Sequence, residues 1–340
     1  MALPTSKLPG TGIATSAVGF GCAGLFRIPQ RGARRSVLDA AYDAGIRHFD
    51  VAPMYGLGLA EAELGSFLKR RRADMTVTTK FGIEPTLVSR GAALIQRPVR
   101  AFLAKRPDVT EGLKTAGQGP HSGPVGRLLY SSPAYSRQSA QAALERSLRA
   151  LGTDYIDIFL LHDPAGLIAG AEELTGYLGE QCRAGRIRSW GVTGQPAGLR
   201  AAIAGLGAVP VIQHRDDMFD VLPGAEHVPE GARITFGALA RAVPASRRFL
   251  ARSPGALRTW SERLGLDLAE EPSLPRMLLR AAILRNPAGP VLFSTTRPER
   301  ARLAAESATQ SAGQPEALAA AVGEFAAAVR AACPERIPAP

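Results

Sequence analysis

Short runs of β-branched and apolar residues alternate eight times with longer Ala/Leu/Arg stretches of helical period, and no other feature of the 340-residue chain constrains its fold as much. The strand candidates end near Gly21, Asp50, Lys80, His162, Thr193, Gln213, Phe236 and Thr295. Helix candidates between them include Ser36–Ala44, Ala60–Arg70, Arg137–Leu151 and Pro275–Arg285. The third shows the rule: Ser136 is a good N-cap, Ala140, Leu144, Leu148 and Leu151 share one face, and Gly152 stands where a C-cap glycine belongs. Eight such units over about 300 residues predict an α/β chain folded as a (β/α)8 barrel, since a closed sheet of that size makes one domain, here residues 1–340.

Three departures from this regularity stand out. Residues 84–135, rich in glycine, proline and scattered Arg/Lys, separate the third strand from its helix. So long a connection is unusual, and in a barrel it emerges on the active-site face, either as a lid or pocket wall or as a plain surface insertion. A second long connection, Leu239 to Leu274, follows the seventh strand. Near the end, Leu318, Val322, Phe325 and Val329 mark an amphipathic closing helix over 315–332.

The formal charge of +11 raises the question of nucleic acid. Only five of the 41 basic residues are lysine, and the arginines are spread along the chain without interleaved aromatics, which argues against that partner. The general positive field still favours anionic small ligands. Three widely separated cysteines (Cys22, Cys182, Cys333) give neither a disulfide framework nor a metal site. The sequence contains no apolar run of about 18 residues and nothing like a signal peptide in its first twelve, so a soluble, cytoplasmic protein is expected.

Gly19-Phe20-Gly21-Cys22-Ala23-Gly24 fits G-x-G-x-x-G, but Pro29 follows where the dinucleotide fingerprint needs a helix. These glycines read better as a tight turn where backbone approaches a ligand. A stronger constellation lies at the ends of three consecutive strands. Ile46–Asp50 ends in a carboxylate, Tyr55 follows five residues later, Met75–Lys80 ends in a rare lysine, and Ile156–His162 ends in histidine. A barrel brings all four to one face. Asp50 and Lys80 on neighbouring strands are expected to pair, and the cation is expected to lower the pKa of the Tyr55 phenol and suit it to proton transfer.

The segments Asp50-Val51-Ala52-Pro53-Met54-Tyr55-Gly56, Thr79-Lys80, Leu160-Leu161-His162-Asp163-Pro164 and Gly185-Arg186-Ile187-Arg188-Ser189-Trp190-Gly191-Val192-Thr193 closely resemble aldo-keto reductases, in that family's order and spacing. The resemblance implies a barrel that binds an extended nicotinamide cofactor and moves hydride to or from a carbonyl carbon. It places the family's catalytic Asp, Tyr, Lys and His on Asp50, Tyr55, Lys80 and His162. Tyr55 would act as general acid or base.

The resemblance also implies cofactor contacts at Gly21, Thr193, Gln213, Phe236, Ser294, Thr295, Arg297 and Arg300. Thr193-Gly194 stands for the usual Ser-Asn pair, Phe236 for a stacking tyrosine, and Ser294 for a frequent lysine. Arg297 and Arg300 can grip a 2′-phosphate, which favours NADP(H), with NAD(H) as the alternative. The motifs around Gly19–Arg27 and His162-Asp163-Pro164 are most similar to the sugar dehydrogenase and pyridoxal 4-dehydrogenase branch, implying an aldehyde, ketone or sugar lactol as substrate. Two other classes remain open: a cofactor-binding regulatory subunit with little turnover, and a barrel enzyme using Lys80 as a Schiff-base amine.

Overall fold

The computed structural model describes residues 3–89, 128–132, 134–164, 166–194, 196–219, 231–252, 254–309 and 315–333. An antiparallel hairpin, β1 (Thr5–Leu8) and β2 (Ile13–Ser16), comes first. The barrel strands are β3 (Val18–Gly21), β4 (His48–Asp50) and β5 (Thr76–Phe81), followed after a short pair, β6 (Glu84–Pro85) and β7 (Tyr130–Ser131), by β8 (Ile156–His162) and β9 (Ile187–Gly194). β10 (Val211–Arg215), β11 (Ala232–Phe236) and β12 (Val291–Phe293) complete it. All eight run parallel and β12 closes on β3, so this is the expected (β/α)8 barrel, with each strand ending within two residues of its expected end. The bulk of the 84–135 insertion lies outside the described residues, which include only its two ends, paired as β6 and β7.

Helices α1 (Arg31–Asp43), α2 (Ala60–Leu68), α3 (Arg137–Leu151), α4 (Ala171–Arg183), α5 (Pro196–Leu206), α6 (Ala242–Arg252), α7 (Pro254–Leu264), α8 (Ser273–Arg285), α9 (Pro298–Thr309) and α10 (Pro315–Ala332) surround the sheet or pack on its helices. α3 has the bounds and caps that its sequence predicts: the Ser136 hydroxyl accepts from Ser139 N and Gly152 has φ 62°. α1 begins five residues before the expected Ser36. Its first turn is held by a polar residue, Arg34, which is buried, stacks 4.5 Å over Phe26 and donates to the Ile28 and Pro29 carbonyls. Apolar periodicity gives no hint of such a contact. The long connection expected over Leu239–Leu274 contains two helices, α6 and α7. They pack with α8 and the tail helix α10 around Trp260 and Phe325, 5.2 Å apart, in a second hydrophobic cluster.

Two packed layers hold the barrel together. Ile158, Leu160, Val211, Ala232, Ile234 and Leu292 form a cluster inside the barrel, and Leu8 and Ile13 of the hairpin join it. His48 lies in the same interior, with Nδ1 3.0 Å from Thr76 Oγ1 and Nε2 3.3 Å from Thr78 Oγ1. Burial, opposed by Asp50 and Asp157, lowers its pKa to about 4, so it is neutral at pH 7. Outside the sheet, Phe81 stacks on Phe159 at 4.8 Å, and Phe20, Phe49 and Phe67 form a chain of ring contacts under α2.

Candidate active site

Parallel register carries the chemistry to one end. Gly21 lies opposite Asp50, Asp50 opposite Thr78, and His162 opposite Thr193, which in turn lies opposite Gln213. Lys80 Nζ donates to Asp50 Oδ1 at 2.6 Å and to the Val51 carbonyl at 3.0 Å. The two side chains are only 2% and 5% exposed, so this is a buried ion pair, tolerable because further hydrogen bonds satisfy the carboxylate. The other Asp50 oxygen accepts from Gln213 Nε2 at 2.7 Å. Sequence reasoning missed this bond, since it joins residues 163 positions apart that no local motif connects.

Tyr55 follows β4 in a tight turn, Tyr55–Gly58, where Leu57 adopts φ 58°. A non-glycine residue there is strained and marks a loop held by its surroundings. Lys80 Nζ lies 5.1 Å from the centre of the Tyr55 ring, and the ring meets His162 edge-on at 6.1 Å. The expected fall in the Tyr55 pKa is not what the structure shows. Burial raises the phenol above its usual 10.0; Lys80 pulls it down by charge and hydrogen bonding, Asp50 pushes it up again, and burial wins. Burial also works against the charge of Lys80, but Asp50 and then Tyr55 outweigh it, so the ammonium holds its proton more tightly than a free lysine. The ground state is a neutral phenol beside a fixed cation. Buried Cys22 adjoins this group, its thiol pushed up by burial and then by Asp50, against Lys80. It is therefore uncharged and inert at neutral pH.

Backbone contacts position His162. The Tyr135 hydroxyl donates to the His162 carbonyl at 2.5 Å, and Asp163 N donates to the Thr193 carbonyl at 2.7 Å. Tyr135 lies over Gly82, where a Cβ would come within 2.2 Å of its ring. Tyr135 is a second residue that sequence reasoning missed, because its signal, a tyrosine just before an N-cap, is indistinguishable from ordinary packing. Asp163 is exposed at the rim with φ 61°.

The residues expected to contact a cofactor lie along the neighbouring rim. Thr193 and Gln213 are buried inside the mouth, and Phe236, half-buried, ends β11. Ser294 Oγ donates to the Gly21 carbonyl at 2.8 Å, and a Cβ on Gly21 would crowd that hydroxyl at 2.5 Å. Thr295 Oγ1 accepts from Arg297 N at 3.1 Å, forming the turn that starts α9. Arg297 and Arg300 are exposed there, Arg300 lying 3.7 Å from Glu271 across open surface. Asp50, Tyr55, Lys80 and His162 thus form one cluster with Gln213, and Ser294–Arg300 form a separate basic shelf beyond β12.

Residues 17–213 match the family described as the aldo/keto reductase family. The chain is 37% identical over 157 residues to D-threo-aldose 1-dehydrogenase from a Pseudomonas species, covering 45% of this chain and 41% of that protein. It is 31% identical over 156 residues to pyridoxal 4-dehydrogenase of Microbacterium luteolum, again covering 45% of this chain and 41% of the relative. The matches thus span about two fifths of each relative's length. Among solved structures, the glycerol dehydrogenase of Gluconobacter oxydans shares the fold with a TM-score of 0.68 at 18% identity, covering 100% of this chain and 98% of that one. No helix among the described residues is long and apolar enough to cross a membrane.

Proposed function

The chain belongs to the aldo/keto reductase family, and from that premise we propose that it is an NADP(H)-dependent oxidoreductase acting on the carbonyl or lactol carbon of an aldose-like substrate. The observation that carries the reading is Lys80 fixed between Asp50 and the Tyr55 ring, with the His162 ring edge-on to the same tyrosine.

When bound, the nicotinamide exchanges hydride with the substrate carbon. In reduction, Tyr55 Oη gives its proton to the carbonyl oxygen as hydride reaches the carbon, and Lys80 stabilises the phenolate left behind. Asp50, held by Gln213, keeps the ammonium in place and charged. His162 orients the carbonyl oxygen. In oxidation the same phenolate takes the hydroxyl proton of an alcohol or lactol. A neutral phenol in the resting site suits the reductive direction, because the acid is loaded at any physiological pH.

The rim residues fit a nicotinamide dinucleotide. Phe236 offers an aromatic face, and Gln213, its amide nitrogen committed to Asp50, has a carbonyl oxygen to accept from a carboxamide. Thr193 adds a hydroxyl beside it, and Gly21 brings backbone close to Ser294. Arg297 and Arg300, exposed at the start of α9 with Thr295 and Ser294 before them, offer charge-assisted donors to a 2′-phosphate. The substrate class draws on the names of the two relatives and on Asp163, an exposed carboxylate beside His162 that can accept from substrate hydroxyls. Fluorescence titration with NADPH and NADH, followed by a panel of aldoses and aldehydes, tests the reading. Binding of NADPH with turnover of at least one aldose is expected; binding without turnover across the panel would leave a cofactor-binding regulatory protein instead.

A further inference from the structure

Three consecutive charged residues stand at the end of β10, Arg215 as its last residue and Asp216 and Asp217 just beyond it, and among the described residues only the two aspartates have a counter-ion. Asp216 is matched by Arg285 at 3.2 Å, and Asp217 by Arg241 at 2.8 Å. Arg215 is left over: among the described residues its guanidinium makes no ion pair and no hydrogen bond, although the residue is half-buried. None of its guanidinium nitrogens is buried without a partner, so the charge is open to solvent and free to meet an incoming anion.

Its position says which ligand. Side chains alternate along β10, so Val211, inside the barrel, and Gln213, on Asp50, put Arg215 on the same inward side at the strand's C-terminal end. Arg215 is in register with Phe236 and leans over β11, its guanidinium 5.6 Å from the ring centre. Gly237, which follows Phe236, leaves room for it: a Cβ at that position would lie 2.9 Å from Nη1, and its φ of 89° independently favours glycine. Arg215 therefore leans away from Tyr55 and His162, toward the strand that adjoins β12 and the basic shelf at Arg297 and Arg300. A dinucleotide with its nicotinamide at Gln213 and Phe236 and its adenosine at that shelf must carry its diphosphate across the ends of β11 and β12.

We infer that Arg215 is the anchor for the diphosphate of the bound dinucleotide. The inference rests on the cofactor reading above and adds to it a residue that serves NADPH and NADH alike, in contrast to the 2′-phosphate shelf. The test is direct binding, read by protein fluorescence with each cofactor, in wild type, Arg215→Met and Arg215→Lys. Arg215→Met is expected to weaken both cofactors by the same factor, roughly 10- to 100-fold, the range of one lost charge-assisted contact. Arg215→Lys recovers most of that loss, which also shows that the fold tolerates change at this position. Inorganic pyrophosphate competes with NADH in wild type and loses that ability in Arg215→Met. Unchanged affinity for both cofactors in Arg215→Met would overturn the assignment and point to an anionic group on the substrate; a loss confined to NADPH would also overturn it and move Arg215 to the 2′-phosphate. Wild type that binds neither cofactor would instead overturn the cofactor reading itself and this assignment with it.

Discussion

The mouth of the barrel has two walls that treat charge in opposite ways. Along β4, β5 and β8, both oxygens of Asp50 are engaged, Lys80 is held by Asp50 and the Val51 carbonyl, and the pair is almost wholly buried. Along β10 to α9, Arg215 has the Phe236 ring but no ion pair or hydrogen bond among the described residues, and Arg297 and Arg300 are exposed. The function proposed above assigns proton transfer to the first wall, where fixed dipoles in dry surroundings act most strongly. The second carries cations that are open to solvent, which is what a surface that binds anions requires. Breaking one wall should spare the work of the other, and the predictions follow that division.

The largest effect is expected from Tyr55→Phe. It removes the proton donor without touching the basic rim, so turnover falls about 1,000-fold while affinity for NADPH changes less than about twofold. Because burial holds the phenol above its ordinary value, the wild-type reductive rate stays level from neutral into alkaline pH. A rate already falling between about pH 7 and 9 would break the assignment of Tyr55 as acid. Lys80→Met comes next. It leaves Asp50 buried without its cation, at a cost of about 3–5 kcal/mol in urea unfolding, and adding Asp50→Asn recovers part of the loss. A single variant as stable as wild type would mean that water reaches Asp50 freely and that the wall is not dry.

The same contrast explains how much is legible in the sequence. The paired wall is built from strand ends, and strand ends follow from period and turn chemistry, so the sequence alone suffices to place Asp50, Lys80 and His162 together. The direction of the Tyr55 shift is not legible in this way, because it depends on how far burial outweighs a neighbouring cation, and burial is a tertiary property. Gln213 illustrates the other failure. Its partner Asp50 lies across the barrel, and only closure of the sheet brings them within 2.7 Å. In the sequence Arg215 is one arginine among many in a basic chain, and what singles it out is that Asp216 and Asp217 are matched elsewhere. The two helices after β11 are hidden for a related reason, since their buried faces meet another helical layer rather than the sheet.

A smaller effect sharpens the account of the dry wall. On the outer face of β5, Thr79 Oγ1 donates to buried Glu61 at 2.7 Å. Burial raises the Glu61 pKa from 4.5 to about 6, against the hydrogen bond from Thr79. A carboxyl raised on folding contributes stability that is complete below its unfolded value and lost as pH rises through its folded one. Stability should therefore drop by about 2 kcal/mol between about pH 4.5 and 6 on this account alone. His48 acts with the opposite sign, since its lowered value costs stability as pH falls from 6.5 toward about 4. Glu61→Gln removes the first contribution and leaves the second, so unfolding measured from pH 4 to 8 should show stability rising with pH more steeply in the variant. An identical pH profile in both proteins would mean that Glu61 is solvated.

The smallest effect tests the open wall at its far end. Arg297→Ala and Arg300→Ala each remove an exposed charge, one of them already within reach of Glu271, so each should weaken NADPH by only about tenfold and leave NADH unchanged. Raising ionic strength should shrink that difference, because exposed charges are screened over about 10 Å at 0.1 M salt. Arg215, half-buried against Phe236 and Gly237, should respond less to salt and make no distinction between the two cofactors. If instead the shelf variants weaken both cofactors equally, the shelf reads the diphosphate or the adenosine. The NADP(H) preference then loses its physical basis, and NAD(H) becomes the cofactor that the rim fits better.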